Sequence, residues 1–514
     1  MTQATRKQVD RLRLQRYLIA GVAFVLGLLI GMLASAAEPV ATASEATGWA
    51  LADIATLPET DRPFQRYVWI PPWSTEDTAA AVDFVVNSSA SRSRSLHAGR
   101  RIANGWMLAY DLRLLAPSPD DFTEIRSVWD GLAIDDPYFH VPKENSGVRA
   151  SVLGPHLEQN QAVATAALTL STGAIYRADW LTVRLSSQIN GGVYYRMRGI
   201  EKFRGSGGGQ ASYLASRGVF NATAEKLSAD QRAAMFFSNV TGKPRLIEAV
   251  PVLVRGGGVA GITHDAADED IRDPAFHPIR NLLTGGKDRA REILVPLANG
   301  LIEYTLFDAK GELQDEVPPN IAHDSTIPPP YSQRLEPMAS CVRCHSRDAG
   351  WLHFDNDVLK LIGSDLDIFS DIGDLKLTRE QVVDRLAGLY AGDLDGADSQ
   401  MGRARRDYTS AVFRLTGLSA QEVGEEFGDI YRRYAYTRIT PQMACEELGV
   451  QLRTGDDPKE TIAKLLPIQP GSPVDPAIGF LRMGVPINRA DWEHVFVDAS
   501  LIASNNRLQL TGER

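Results

Sequence analysis

Only three of the 514 residues are cysteine, and two of them, Cys341 and Cys344, stand two residues apart with His345 directly after. That spacing is demanding. Two thiols so placed match the two vinyl groups of a porphyrin, and the imidazole that follows can reach the iron as an axial ligand. The run Cys341-Val342-Arg343-Cys344-His345 is therefore an attachment signature for a single covalently held haem c. It assigns Cys341 and Cys344 as tethers and His345 as the proximal iron ligand. The competing chemistries lack residues. A structural zinc site takes four ligands, usually from two pairs, and the third cysteine, Cys445, lies 101 positions beyond Cys344. A redox dithiol belongs between a strand and a helix of a βαβ unit, whereas this pair follows a proline-rich loop, Val317 to Pro330. Cys445 falls in an apparent helix and reads as a buried thiol.

Haem c is attached outside the cytoplasm, so the N-terminus has to provide export. Arg6, Lys7, Arg11, Arg13 and Arg16 face a single acid, Asp10, and the 21 residues from Tyr17 to Ala37 carry no charge. That length crosses a bilayer as a helix, and the basic flank stays on the cytoplasmic side. Ala34-Ser35-Ala36 also fits a signal-peptide cleavage site. Both readings place the rest of the chain on the periplasmic side of a bacterial inner membrane, held by one N-terminal anchor or released after cleavage. Without the basic segment the net charge moves from −10 to −14. An acidic exported chain argues against nucleic acid as a partner and is compatible with docking a basic redox protein.

Along the chain, hydrophobic periodicity and turn residues predict an α+β protein: mixed α/β regions first, then a mainly α-helical, cytochrome c-like region. Residues 1–37 form the signal or anchor helix and 38–60 a linker. Residues 61–145 form a small α+β module, with strands at Arg66–Ile70 and Trp106–Leu115, a helix after Asp77 running through Arg94, and a second helix at Phe122–Leu132. The cluster Arg92, Arg94, Arg100 and Arg101 reads as a solvated face. Residues 146–310 form a mixed region, with helices over 162–170 and 174–184, a strand around Val252, and a closing hairpin of Ile293–Pro296 and Leu301–Phe307 about Asn299-Gly300. His264 and His277 sit in an Asp-rich turn stretch with little beyond residue type to suggest a metal site. The Gly205–Gly209 and Gly256–Gly258 clusters lack a phosphate-loop pattern. The haem-binding region spans 311–465. Thr378 with Gln381 and Ser419 with Glu422 are capping-box spacings, and Thr440-Pro441 opens a helix that Gly449 ends. Residues 466–514 are a C-terminal extension.

Several stretches are similar to a group of uncharacterised bacterial exported proteins with one c-type haem motif. They are Leu297 to Tyr304, Asp308-Ala309-Lys310-Gly311, Ile321-Ala322-His323-Asp324 and Ser340 to His345. Upstream, Arg66-Tyr67, Trp129-Asp130, Asp136-Pro137-Tyr138 and Arg177 to Trp180 resemble further landmarks of that group. The group's wording before the motif is Asn-Gly-x-Ser-Cys-x-x-Cys-His, where this chain has Glu336-Pro337-Met338, and Ala298 replaces a proline. The resemblance implies an exported cytochrome c-like protein and names no substrate.

The sixth iron ligand decides what such a haem does, since a closed iron carries electrons and an open one binds small molecules. Met401, 56 residues after His345 in a polar loop beside Gly402, is the expected ligand. His353, Met338, Met443 and Met483 are the other candidates, and an iron with no protein ligand is the remaining case. No Ser/His/Asp, HExxH or paired-carboxylate motif appears, so the expectation is an electron carrier with a redox partner protein rather than a catalyst. The alternatives are a haem enzyme or gas or redox sensor with an open distal site, or an interaction protein carrying an accessory haem.

Overall fold

Strand β1 (Gln65–Trp69) is buried at every position, because both of its edges are taken. The computed structural model describes residues 43–138, 175–219 except 190, 232–235, 245–252, 258–270, 287–346 except 326, 400–467 except 451, and 475–510, with a few single positions besides. The sheet around β1 includes β2 (Arg100–Ile102), β3 (Met107–Asp111) and β4 (Ile175–Arg177), in the order β2-β3-β1-β4. β3 runs antiparallel to β1, and β4 runs parallel to it, with Tyr67 opposite Ile175. A helix was the expectation for 174–184; its first residues are instead this three-residue strand, and the helix starts only at Ala178. Burial of Ile175, Tyr176 and Arg177 against β1 overrides local helix preference at a position too short for a periodicity to register.

The expected linker is also corrected. Residues Ala43–Thr56 form helix α1, with Ala46, Ala50 and Ile54 buried one turn apart on the same face. Alanine is the best helix former, and its small side chain lets α1 approach closely. Near the end of α1, Asp53 binds Arg100 through both oxygens at 2.6 and 2.7 Å and accepts the Tyr67 hydroxyl at 2.8 Å. Helix α2 (Thr78–Val85) passes into a π-helical turn at Val86–Ala90 and the chain turns extended at Ser91, so the helix stops short of the arginines. Arg92 is not on a solvated face. Its guanidinium binds Asp121 at 2.8 Å, Glu124 at 2.7 Å and the Met197 carbonyl. Helix α3 (Pro119–Asp135) is capped by Ser118, whose Oγ accepts the Asp121 amide at 3.1 Å.

The second sheet is a six-stranded antiparallel meander: β5 (Arg232–Met235), β6 (Arg245–Pro251), β7 (Val259–His264), β8 (Ala290–Pro296), β9 (Ile302–Asp308) and β10 (Leu313–Gln314). Thr263 and His264, expected in a turn, end strand β7. The predicted β8–β9 hairpin is present, closed by Leu297 to Leu301, with Gly300 at φ +91° and its amide on the Leu297 carbonyl. Helices α4 (Ala178–Ser186), α5 (Tyr194–Arg198) and α6 (Gly209–Ser216) connect the two sheets in sequence.

Beyond the motif, the described residues are helical: α8 (Gln400–Thr416), α9 (Ala420–Ala435), α10 (Pro441–Glu447), α11 (Pro458–Leu465), α12 (Pro476–Arg482) and α13 (Arg489–Leu510); α7 is introduced with the site below. The capping signals hold: Ser419 and Glu422 form a reciprocal box, and Thr440 Oγ1 accepts the Met443 amide at 3.2 Å. The protein is thus mixed α/β with two sheets. One apolar core runs from Ala46 to Ala503 and includes the buried indoles of Trp129, Trp180 and Trp492. The apolar run 17–37, the helix expected over 162–170, His277 and His353 lie outside the described residues. Among those described, no helix is long and apolar enough to cross a membrane.

Candidate functional site

Helix α7 (Ala339–His345) is a short helix that consists almost entirely of the motif. Positions three and four apart share a helix face, so Cys341, Cys344 and His345 lie together. Cys341 is 3% exposed and His345 8%, while Cys344 is half-buried. No disulfide engages any of them. The helix is launched by Met338, whose φ of +59° and ψ of −61° put it at the centre of a γ-turn, with the Ala339 amide on the Pro337 carbonyl at 2.8 Å. A non-glycine residue there costs about 1–3 kcal/mol. Glycine adopts such a φ without strain. Here packing of the fully buried Met338 side chain must hold the strained backbone.

The strain is held in place by contacts on either side. Arg343, between the two cysteines, donates to the Ala339 carbonyl at 2.8 Å and to Asp324 at 2.5 Å, and its guanidinium lies 5.1 Å from the Tyr431 ring. Just upstream, the buried carboxyl of Glu336 receives Ser187 Oγ at 2.5 Å, the Gln188 amide at 3.1 Å and the Tyr431 hydroxyl. Burial pushes its pKa up, and these donors only partly offset that. Ser346, immediately after the motif, packs on α9 where Gly424 has no side chain: a β-carbon there would come within 2.0 Å of Ser346 Oγ.

On its other side α7 meets the second sheet. Glu292 on β8 places Oε1 3.7 Å from His345 Nε2, and its Oε2 lies 3.7 Å from Arg245 Nη1. Arg245 in turn clasps Asp265 through two bonds of 2.7 and 2.8 Å. Burial would raise the Glu292 pKa, but hydrogen bonds from His345 and Cys341 and the charges of His345 and Arg245 outweigh it and hold it at about 2. Burial and the Glu292 carboxylate push the Cys341 thiol well up. A disulfide-exchange centre lowers the pKa of its attacking thiol; Cys341 is moved the opposite way. Tyr304 on β9 faces the same site, its ring 5.9 Å from that of His345. Its hydroxyl is buried and has no hydrogen-bond partner among the described residues.

These observations test the fit of a haem. The donor set matches in kind and spacing: two thiols outside any disulfide and an adjacent imidazole on one helix. A buried hydroxyl without a partner costs about 1–3 kcal/mol, and a polar group of a bound cofactor or its ligand beside Tyr304 would relieve it. Among the described residues no three or more His, Cys, Asp or Glu side chains gather to hold a bare metal ion.

The remaining predicted residues sit on other elements. Met401 is the second residue of α8, not part of a loop. Met443 opens α10 and packs at the edge of the core, and Met483 is 61% exposed. Cys445 is buried, its Sγ 3.8 Å from the Pro458 carbonyl. His264 lies between Asp288 at 2.5 Å and Glu248 at 3.3 Å, an ion-pair arrangement. Glu292 was not marked from sequence, and Asp324, Glu336 and Tyr304 stood only within stretches quoted for the resemblance, without a role of their own. The chain matches no protein-family model, no curated protein and no solved structure.

Proposed function

We propose that the protein is an exported single-haem, c-type cytochrome-like protein acting in electron transfer. Cys341 and Cys344 would hold the haem and His345 would bind its iron. The observation that carries this reading is the Cys341-Val342-Arg343-Cys344-His345 run on one short helix with no disulfide. The haem supplies one-electron chemistry. The chain's own residues do the rest: Arg343 ties α7 to Asp324 in the loop before it, and Glu336 ties the lead-in to Ser187 and to Tyr431 on α9. The N-terminal apolar run would place the protein at the periplasmic face of the inner membrane, and its net negative charge suits a basic redox partner. The helices α8 to α11 supply the apolar packing that a cytochrome c-like region needs. A second reading, an iron open to a small ligand, is favoured by the polar Glu292 and Tyr304 at the site.

The test is to produce the full chain alongside the haem c maturation machinery and record a pyridine haemochrome spectrum and an intact mass. The expected result is the added mass of one haem, abolished by replacing Cys341 and Cys344 with alanine. Absence of covalent haem overturns the proposal.

A further inference from the structure

We infer that Glu292 is the residue set against the iron-binding side of His345, so that the haem site is faced by a carboxylate rather than capped by Met401. This rests on the haem reading above and adds the identity of the group on the other side of the iron.

Three features of the site lead there. An imidazole at the end of a helix meets iron most openly through Nε2, because Nδ1 is crowded by its own β-carbon and backbone. In this structure Nε2 lies 3.7 Å from Glu292 Oε1. Bonds of imidazole nitrogen and carboxylate oxygen to a first-row ion are each about 2 Å, so a ligand pair on opposite sides of one ion spans about 4 Å.

Glu292 also interacts with Cys341. It therefore faces two of the groups that would hold the haem. Attachment takes the proton from both neighbours: a thioether has none to offer, and a ligated Nε2 has none. The carboxylate is then left, among the described residues, beside Arg245 at 3.7 Å.

Arg245 is shared: its Nε and Nη2 bind Asp265, and only Nη1 is turned toward Glu292. Two carboxylates and one guanidinium leave a buried excess of negative charge, and buried charge needs a partner. A ferric porphyrin, with its net positive iron centre, supplies one beside Glu292, whose Oε1 lies 3.7 Å from His345 Nε2.

The experiment uses the full-length protein with covalent haem confirmed by mass. The ferric wild type is expected to be high-spin by optical and electron paramagnetic resonance spectra, since a carboxylate is a weak-field ligand, and its ferrous form is expected to take up carbon monoxide on mixing. Glu292→Met should convert the ferric iron to low spin, and Glu292→Gln should raise the midpoint potential by removing a negative charge. Met401→Ala should leave the spectrum unchanged. A low-spin wild type with a methionine-sulfur signature that Met401→Ala abolishes and Glu292→Gln leaves intact would overturn the inference. If the Glu292 variants do not fold, the wild type decides: a ferrous form that stays low-spin and ignores carbon monoxide also overturns it. Absence of covalent haem shows as a missing mass and sinks the underlying haem reading instead.

Discussion

Helix α9 contains two buried glycines one turn apart that should respond to the same substitution with opposite sign. In a helix interior, glycine to alanine ordinarily stabilises by about 1 kcal/mol through reduced backbone entropy. At Gly428 a new β-carbon would meet Arg343 Cγ at 3.6 Å and Cδ at 3.7 Å, ordinary contact distances. Gly428→Ala should therefore stabilise by up to about 1 kcal/mol. At Gly424 the same atom would come within 2.0 Å of Ser346 Oγ and 2.1 Å of its Cβ. Serine has no length to swing away, so α9 and the end of α7 must separate. Overpacking of this kind costs about 1–3 kcal/mol, which outweighs the propensity gain and leaves Gly424→Ala destabilised. Equilibrium urea unfolding of the three proteins measures both. A partner substitution sharpens it: Ser346→Gly should rescue Gly424→Ala, whereas Ser346→Ala, which keeps the offending β-carbon, should not. If Gly424→Ala proves as stable as Gly428→Ala, the close approach of α7 and α9 described above is wrong.

Two further perturbations test the charges around the site. His264 lies between Glu248 and Asp288, and Asp288 is shared with Arg291; burial lowers the imidazole pKa, but the two carboxylates more than reverse this and raise it to about 9. Since the folded value exceeds the ordinary 6.5, the stabilisation is complete below that pH and is lost as pH rises through about 9. Urea unfolding across this range should show the decline, and His264→Gln should flatten it; an unchanged slope in the variant refutes the assignment. Asp324→Ala removes the buried carboxylate that pairs with Arg343. Removing one partner of a buried pair costs on the order of 3 kcal/mol, so a loss well under 1 kcal/mol in denaturant titration would show that the pair does not anchor α7.

The parts of this protein legible in its sequence are those written in adjacent residues. The motif, the Asn299-Gly300 turn, and the Ser419 and Thr440 caps each involve groups within five positions of one another. The hidden parts depend on contacts between distant stretches. Glu292 has no sequence neighbour that marks it; its meaning comes from α7, some fifty positions on. Arg92 looked solvated because its partners Asp121 and Glu124 lie on another helix. Strand β4 exists because β1 offers an edge, and α1 because the first sheet buries its alanines, although composition alone resembles a linker. Met338 lay in plain view as a departure from a glycine-bearing pattern, but only its positive φ shows what that departure demands.

The depth at which Cys341 lies has a consequence for timing. A thiol 3% exposed is out of reach of any reagent once the chain has closed over it. On the haem reading, bond formation at Cys341 belongs to the interval between export and collapse, and folding competes with it. Residues as far away as Ser187 and Tyr431, which pull Glu336 inward, then act as a clock: the faster they assemble, the shorter the window for ligation. A substitution that speeds closure of the core would lower the fraction of chains that acquire their cofactor while leaving the finished fold unchanged.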